Sequence, residues 1–158
     1  MQGITFLFVG KSDDPHIIAL IEEYRKRLSR FVPSEIVELP DPKNRRKWSE
    51  AEQKSEEGKM ILSAIGQQDA VVLLDEKGKE YTSIEFSRQI ERQQMITPRR
   101  LVFVIGGPYG FSDEIYKAFP QRISLSRLTF NHQMVRLFLV EQIYRAYTIM
   151  HNHPYHHE

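Results

Sequence analysis

The chain has 158 residues, 41% of them hydrophobic and 27% charged, with 22 Lys+Arg against 21 Asp+Glu for a formal net charge of +1. That length suits one domain around one core, and the composition excludes a disordered chain. The absence of cysteine excludes a disulfide framework, a thiol nucleophile and a cysteine metal site. A charge near zero excludes a nucleic-acid binder that works by bulk charge, so any RNA must be met through local patches and selected by shape.

In chain order, Ile4–Val9 predicts a strand, and the N-terminus lacks the basic start and cleavage site of a secretory leader. No apolar run approaches the ~20 residues that span a bilayer, so a cytoplasmic protein is expected. Asp14-Pro15 predicts an N-cap with proline in the first turn of a helix to about Leu28. Ser34–Leu39 is a weaker strand. Ser49 and Glu52 have capping-box spacing before a helix to about Ile65. Ala70–Leu74 is a continuous apolar run of the buried parallel type. Thr82 or Ser83 caps a helix to about Gln94, and Leu101–Ile105 is a further buried strand. Ser112 caps a short helix to about Phe119, Ile123–Leu125 reads as a short strand, and a long helix runs from about Gln133 to Met150. Strands alternating with helices imply an α/β fold with a parallel sheet covered on both faces. Ligands bind such sheets outside the carboxyl ends of the strands, here the loops 75–79, 106–110 and 126–132.

Five segments could carry chemistry. Gly106-Gly107-Pro108-Tyr109-Gly110 follows a strand directly and lets backbone approach a ligand, although a plain turn would look the same. It matches neither a dinucleotide fingerprint nor a Walker A loop, which favours a ligand without phosphate. The run Leu125–His132 can offer backbone to a base edge between apolar walls, or can serve only to cap a helix. The last helix is apolar nearly all round, which predicts burial on more than one side and a subunit interface. Within it Glu141 and Arg145 stand at i, i+4. The tail, His151-Asn152-His153-Pro154-Tyr155-His156-His157-Glu158, has no recognised metal spacing. A substrate contact is the preferred reading over metal, with a solvated tail as the plain alternative. Lys43-Asn44-Arg45-Arg46-Lys47 beside Trp48 can hold phosphates and stack a base, or be a solvated loop.

Together these residues resemble the ribosomal RNA large-subunit methyltransferase H family, of the SPOUT class of knotted methyltransferases. The likeness covers essentially the whole chain, residues 1–158, as a single domain. It is carried by Val104–Gly110, by Ser124-Leu125-Ser126 with Thr129 and His132, by Glu141–Ala146 and by Asn152–His156, in that order. Leu73-Leu74-Asp75 with Gly78-Lys79 matches as well. The resemblance implies a parallel sheet of about five strands with helices on both faces and a C-terminal trefoil knot, and a homodimer formed through the last helix. It implies S-adenosylmethionine as cofactor, held by Leu74, Gly106, Leu125, Ser126, Arg127, Leu128, Thr129 and Phe130. It implies methyl transfer to N3 of a pseudouridine in 23S rRNA of the assembled ribosome or large subunit, with no metal and no membrane. His132, Glu141, Arg145, Tyr155 and His156 then become the catalytic or substrate-binding set. Arg145 and Tyr155 are expected to position substrate, and His132 or His156 to move the proton. Some relatives carry a cation where this chain has His157. The alternatives are a knotted methyltransferase acting on tRNA or a small molecule, and a non-catalytic RNA-binding module of the ribosome.

Overall fold

The computed structural model describes residues 1–43 and 45–158. Strand β1 (Gly3–Val9) is buried at every position and sends alternate side chains to opposite faces. Ile4, Phe6 and Phe8 join one core cluster, whereas Leu7 and Val9 join a second. β4 (Arg100–Ile105) does the same, with Leu101, Phe103 and Ile105 against Val102 and Val104. Such double-sided burial requires helices on both faces. Helices α1 (Pro15–Leu28), α3 (Ser83–Ile96) and α5 (Met134–Met150) cover the first cluster, and α2 (Glu50–Ala64) and α4 (Asp113–Ala118) the second. With β2 (Ser34–Leu39), β3 (Ala70–Lys79) and β5 (Arg122–Ile123) the sheet is parallel throughout, in the order β2-β1-β4-β3-β5. This is the expected α/β architecture.

Local signals place the helices. Asp14 accepts the amides of His16 and Ile17 at the start of α1. Thr82, not Ser83, caps α3 and forms a reciprocal capping box with Glu85. Ser49 accepts the Glu52 amide at the start of α2.

Two expectations need correction. Residues 75–79 were expected as a loop, but β3 continues through Lys79 because this stretch pairs with Ile123. The short strand is Arg122–Ile123 and not Ile123–Leu125, so Leu125 is free to face a ligand. The all-round apolarity of α5 is also largely used within the chain: the helix packs on the sheet between α1 and α3. Only Met134 on it is exposed, at 43%, with Leu137 and Phe138 half-buried nearby. No helix among the described residues is long and apolar enough to cross a membrane.

Candidate active site

A cleft of about 250 Å³ opens at the carboxyl ends of β4 and β5, beside the middle of β3. The middle of β3 contributes Leu74, Asp75 and Glu76, and the loop after β4 contributes Gly106, Gly107, Pro108 and Gly110. The chain after β5 contributes Ser124 to Ser126 and Leu128 to Phe130, with His132 and Val135 closing one side. Much of this surface is backbone, and the walls are apolar: Ile105, Phe111, Ile123, Leu125 and Phe130. The lining holds two carboxylates and no lysine or arginine. That lining suits a cationic or neutral ligand and disfavours a phosphate.

Three details shape the cleft. Gly110 has φ 81°, the left-handed region that a side chain resists, and its amide closes a turn onto the Gly107 carbonyl at 3.2 Å. Asp75 accepts a short hydrogen bond from the Tyr116 hydroxyl. Burial, reinforced by that carboxylate, pushes the Tyr116 pKa up to about 12, so the phenol keeps its proton and stays a donor. The third is the enclosure of β5 by β3. Leu73 N–H donates to Gln121 O at 2.9 Å, and Ser124 N–H donates to Lys79 O at 3.0 Å. Residues 73–79 therefore hold the 121–124 segment from both ends. Gly78 lies so close that a Cβ there would sit 2.4 Å from the Ile123 carbonyl carbon.

The expected cofactor set is brought together with one exception. Leu74, Gly106, Leu125, Ser126, Leu128, Thr129 and Phe130 all line the cleft. Arg127 does not: its side chain is 87% exposed and reaches Glu80 at 3.5 Å. The expected catalytic set divides. His132 lines the cleft, while Glu141, Arg145, Tyr155 and His156 form a separate cluster where α5 meets the tail.

In that cluster Glu141 Oε1 accepts from Arg145 at 2.5 Å and from the Tyr155 hydroxyl at 2.8 Å. Gln142 Nε2 donates to Glu141 Oε2 at 2.9 Å. The Arg145 guanidinium lies 4.8 Å from the Tyr155 ring centroid, and its Nη1 meets His156 Nδ1 at 3.2 Å. A guanidinium can only donate, so Nδ1 is the accepting nitrogen and the proton of the neutral ring lies on Nε2. Nε2 is 3.3 Å from Glu158 but without hydrogen-bonding geometry. Arg145 Nε is likewise buried without a partner among the described residues. Burial first, then the contacts with Tyr24 and Glu141, raises the Tyr155 pKa well above the ordinary phenol range.

The tail is not a free solvated segment. His151 stacks on Phe31 at 5.0 Å and His153 meets the same ring edge-on, while His157 is exposed. No set of three His, Cys, Asp or Glu side chains among the described residues is placed to hold a metal ion. Of the basic run, Arg45–Lys47 forms an exposed 3-10 turn with Arg45 paired to Asp41 at 3.0 Å, and Asn44 lies outside the described residues. Sequence reading missed Tyr24, Tyr116 and Glu57, which stand beside the site but come from stretches that read as ordinary amphipathic helix.

Comparison with known proteins gives the same assignment. Residues 2–156 match the family model described as predicted SPOUT methyltransferase. The chain is 52% identical over 155 residues to the ribosomal RNA large subunit methyltransferase H of Parabacteroides distasonis, covering 98% of this chain and 99% of that one. The protein of the same name from Porphyromonas gingivalis is 50% identical, over 98% of this chain and 99% of its own length. That of Flavobacterium johnsoniae is 46% identical, over 99% of this chain and 100% of its own.

Proposed function

The chain belongs to the SPOUT methyltransferase family, and from that premise we propose that it transfers a methyl group from S-adenosylmethionine to N3 of a pseudouridine in 23S rRNA. The cleft lining carries this reading. Backbone and apolar walls suit a nucleoside, two carboxylates and no cation suit a sulfonium, and a phosphate would find no counter-charge. The relatives' names supply the class of RNA. A net charge of +1 supports a substrate presented in a prebuilt ribosomal surface, and with it a cytoplasmic location.

The residues divide the labour as follows. Leu74, Gly106, Leu125, Ser126 and Leu128 to Phe130 would hold the cofactor, which when bound would supply an electrophilic methyl group on a sulfonium. Arg145 and Tyr155 position the RNA, through the partly exposed Arg145 side chain and a phenol that keeps its proton. N3 must lose a proton to attack. The Nδ1 lone pair of His156 is taken by Arg145, which supports His132, on the cleft itself, as the group that moves that proton. We read residues 1–158 as one domain, in which the 121–124 segment passes between the two ends of the 73–79 stretch of β3 to close a C-terminal trefoil knot. The two-ended grip of β3 on that segment supports the knot.

We also propose a homodimer through the outward strip Met134, Leu137, Phe138, Glu141 and Arg145 of α5. Its support is the separation, within one chain, of the cleft from the Glu141 cluster; a second chain brings one to the other. Incubation with S-adenosylmethionine and either 70S ribosomes, large subunits or tRNA, followed by nucleoside mass spectrometry, tests the function. Methyl-pseudouridine in 23S rRNA from ribosomal samples alone is the expected result. Transfer to tRNA, and none to ribosomes, would overturn the substrate, and failure to bind the donor would return the chain to a non-catalytic module.

A further inference from the structure

The glycine loop has a support that the mechanism above does not use. Glu57 lies on α2 and is 4% exposed. Its Oε1 accepts from Gln53 Nε2 at 2.9 Å, and Gln53 is itself buried. The backbone amide of Gly107 points at the same carboxylate. The contact is tight: a Cβ on Gly107 would sit 2.4 Å from Oε2 and 2.5 Å from Oε1. Gly107 does not have a positive φ, so backbone conformation does not account for a glycine there. The approach of the carboxylate does. Gly107 is at the same time part of the cleft lining, so Glu57 lies behind one wall of the candidate donor site.

A carboxylate in this position is costly for folding. It forms no ion pair among the described residues, and Arg45, whose charge reaches it, is engaged with Asp41 at 3.0 Å. Neutral donors such as Gln53 compensate a buried charge only in part, and an uncharged amide of the same shape would avoid that cost. A buried charge also acts over a distance that an exposed one does not, because little water screens it.

We propose that Glu57 is a positioning residue of the methyl-donor site, fixing the Gly106–Gly107 backbone as a wall of the cleft and placing behind it a negative charge that favours the cationic sulfonium over the neutral thioether left after transfer. The inference rests on the methyltransferase reading and deepens it. It makes product release part of the design, since the group that draws the donor in loses its hold once the positive charge has gone.

Calorimetry on the full chain, titrated separately with S-adenosylmethionine and S-adenosylhomocysteine, tests this without any turnover. Glu57→Gln keeps the shape and one acceptor oxygen and removes the charge. It should weaken donor binding about tenfold and product binding by no more than about twofold. Glu57→Asp keeps the charge but shortens the reach, and should weaken both ligands while preserving the donor-to-product ratio of the parent chain. Thermal unfolding of both variants monitors the fold. Equal losses for the two ligands in Glu57→Gln, or no loss, would overturn the inference, as would a changed ratio in Glu57→Asp if Glu57→Gln does not fold. A parent chain that binds neither ligand would overturn the methyltransferase reading together with this one, an outcome distinct from the others.

Discussion

In the cleft, the groups that face a ligand are mostly backbone and apolar side chains set by β3, β4 and β5, whereas around Glu141 each contact is one long polar side chain holding another. The two regions should therefore fail differently. A backbone-built pocket is sensitive to any added atom that displaces a loop, and insensitive to removal of side chains that point elsewhere. A side-chain network is sensitive to removal of any member, because the remaining polar groups are left without partners. The division also matches two tasks, since the cofactor is the same at every turnover and the RNA must be aligned anew.

The largest effect expected is on the network. Arg145→Ala removes the partner of both Glu141 and His156 and should lower methyl transfer about a hundredfold, with donor affinity measured by calorimetry unchanged. A parallel fall in donor affinity would mean that the two regions are not separate. Gly78→Ala should show the opposite signature. Its methyl group meets the Ile123 backbone and not a movable side chain, so the cost should be about 2 kcal/mol of stability, read by denaturant unfolding, with donor binding weakened. Unchanged stability would mean that β3 does not enclose β5 as tightly as the close approach indicates. Tyr155→Phe is a milder cut within the network. It deletes the 2.8 Å hydrogen bond to Glu141 but keeps the ring under Arg145, and should cost about tenfold in rate with no change in donor affinity.

These two regions were unequally legible in the sequence. Helix starts could be read because caps are local: Asp14 with Pro15, and Thr82 or Ser83 before α3, act on amides no more than three residues away. The five strands and their parallel arrangement followed from apolar runs and alternation with helices. The limits of β3 and β5 did not, because Glu76-Lys77-Gly78-Lys79 is polar and becomes strand only by pairing with Ile123, a distant partner. Resemblance supplied the cofactor set, but Arg127 shows that a matched run does not mean every side chain in it turns inward. Glu57 was not legible at all. It stands in Lys54-Ser55-Glu56-Glu57-Gly58-Lys59, which reads as a solvated face, and its burial depends on a loop that the chain reaches only after two more strands.

Glu57 also sharpens the comparison at its smallest scale, since it is a buried charged group behind a wall that is otherwise backbone. Burial pushes its carboxyl above the ordinary value of 4.5, against the hydrogen bonds from Gln53 and Gly107 that pull it down. Asp41 adds to the rise and Arg45 opposes it. A raised pKa means that the folded chain holds the proton more tightly than the unfolded one. That contribution to stability is complete below the unfolded-state value and is lost as pH rises through the folded-state value. Where it is ionised the group is therefore a net cost, which Glu57→Gln removes. The variant should melt about 2–4 °C above the parent at pH 7, with the gap narrowing toward pH 4 as the parent's carboxyl takes up its proton. A variant that melts lower at pH 7, or a gap that widens on acidification, would mean that the carboxylate stabilises the fold. The cost of keeping it would then no longer argue for a role in donor binding.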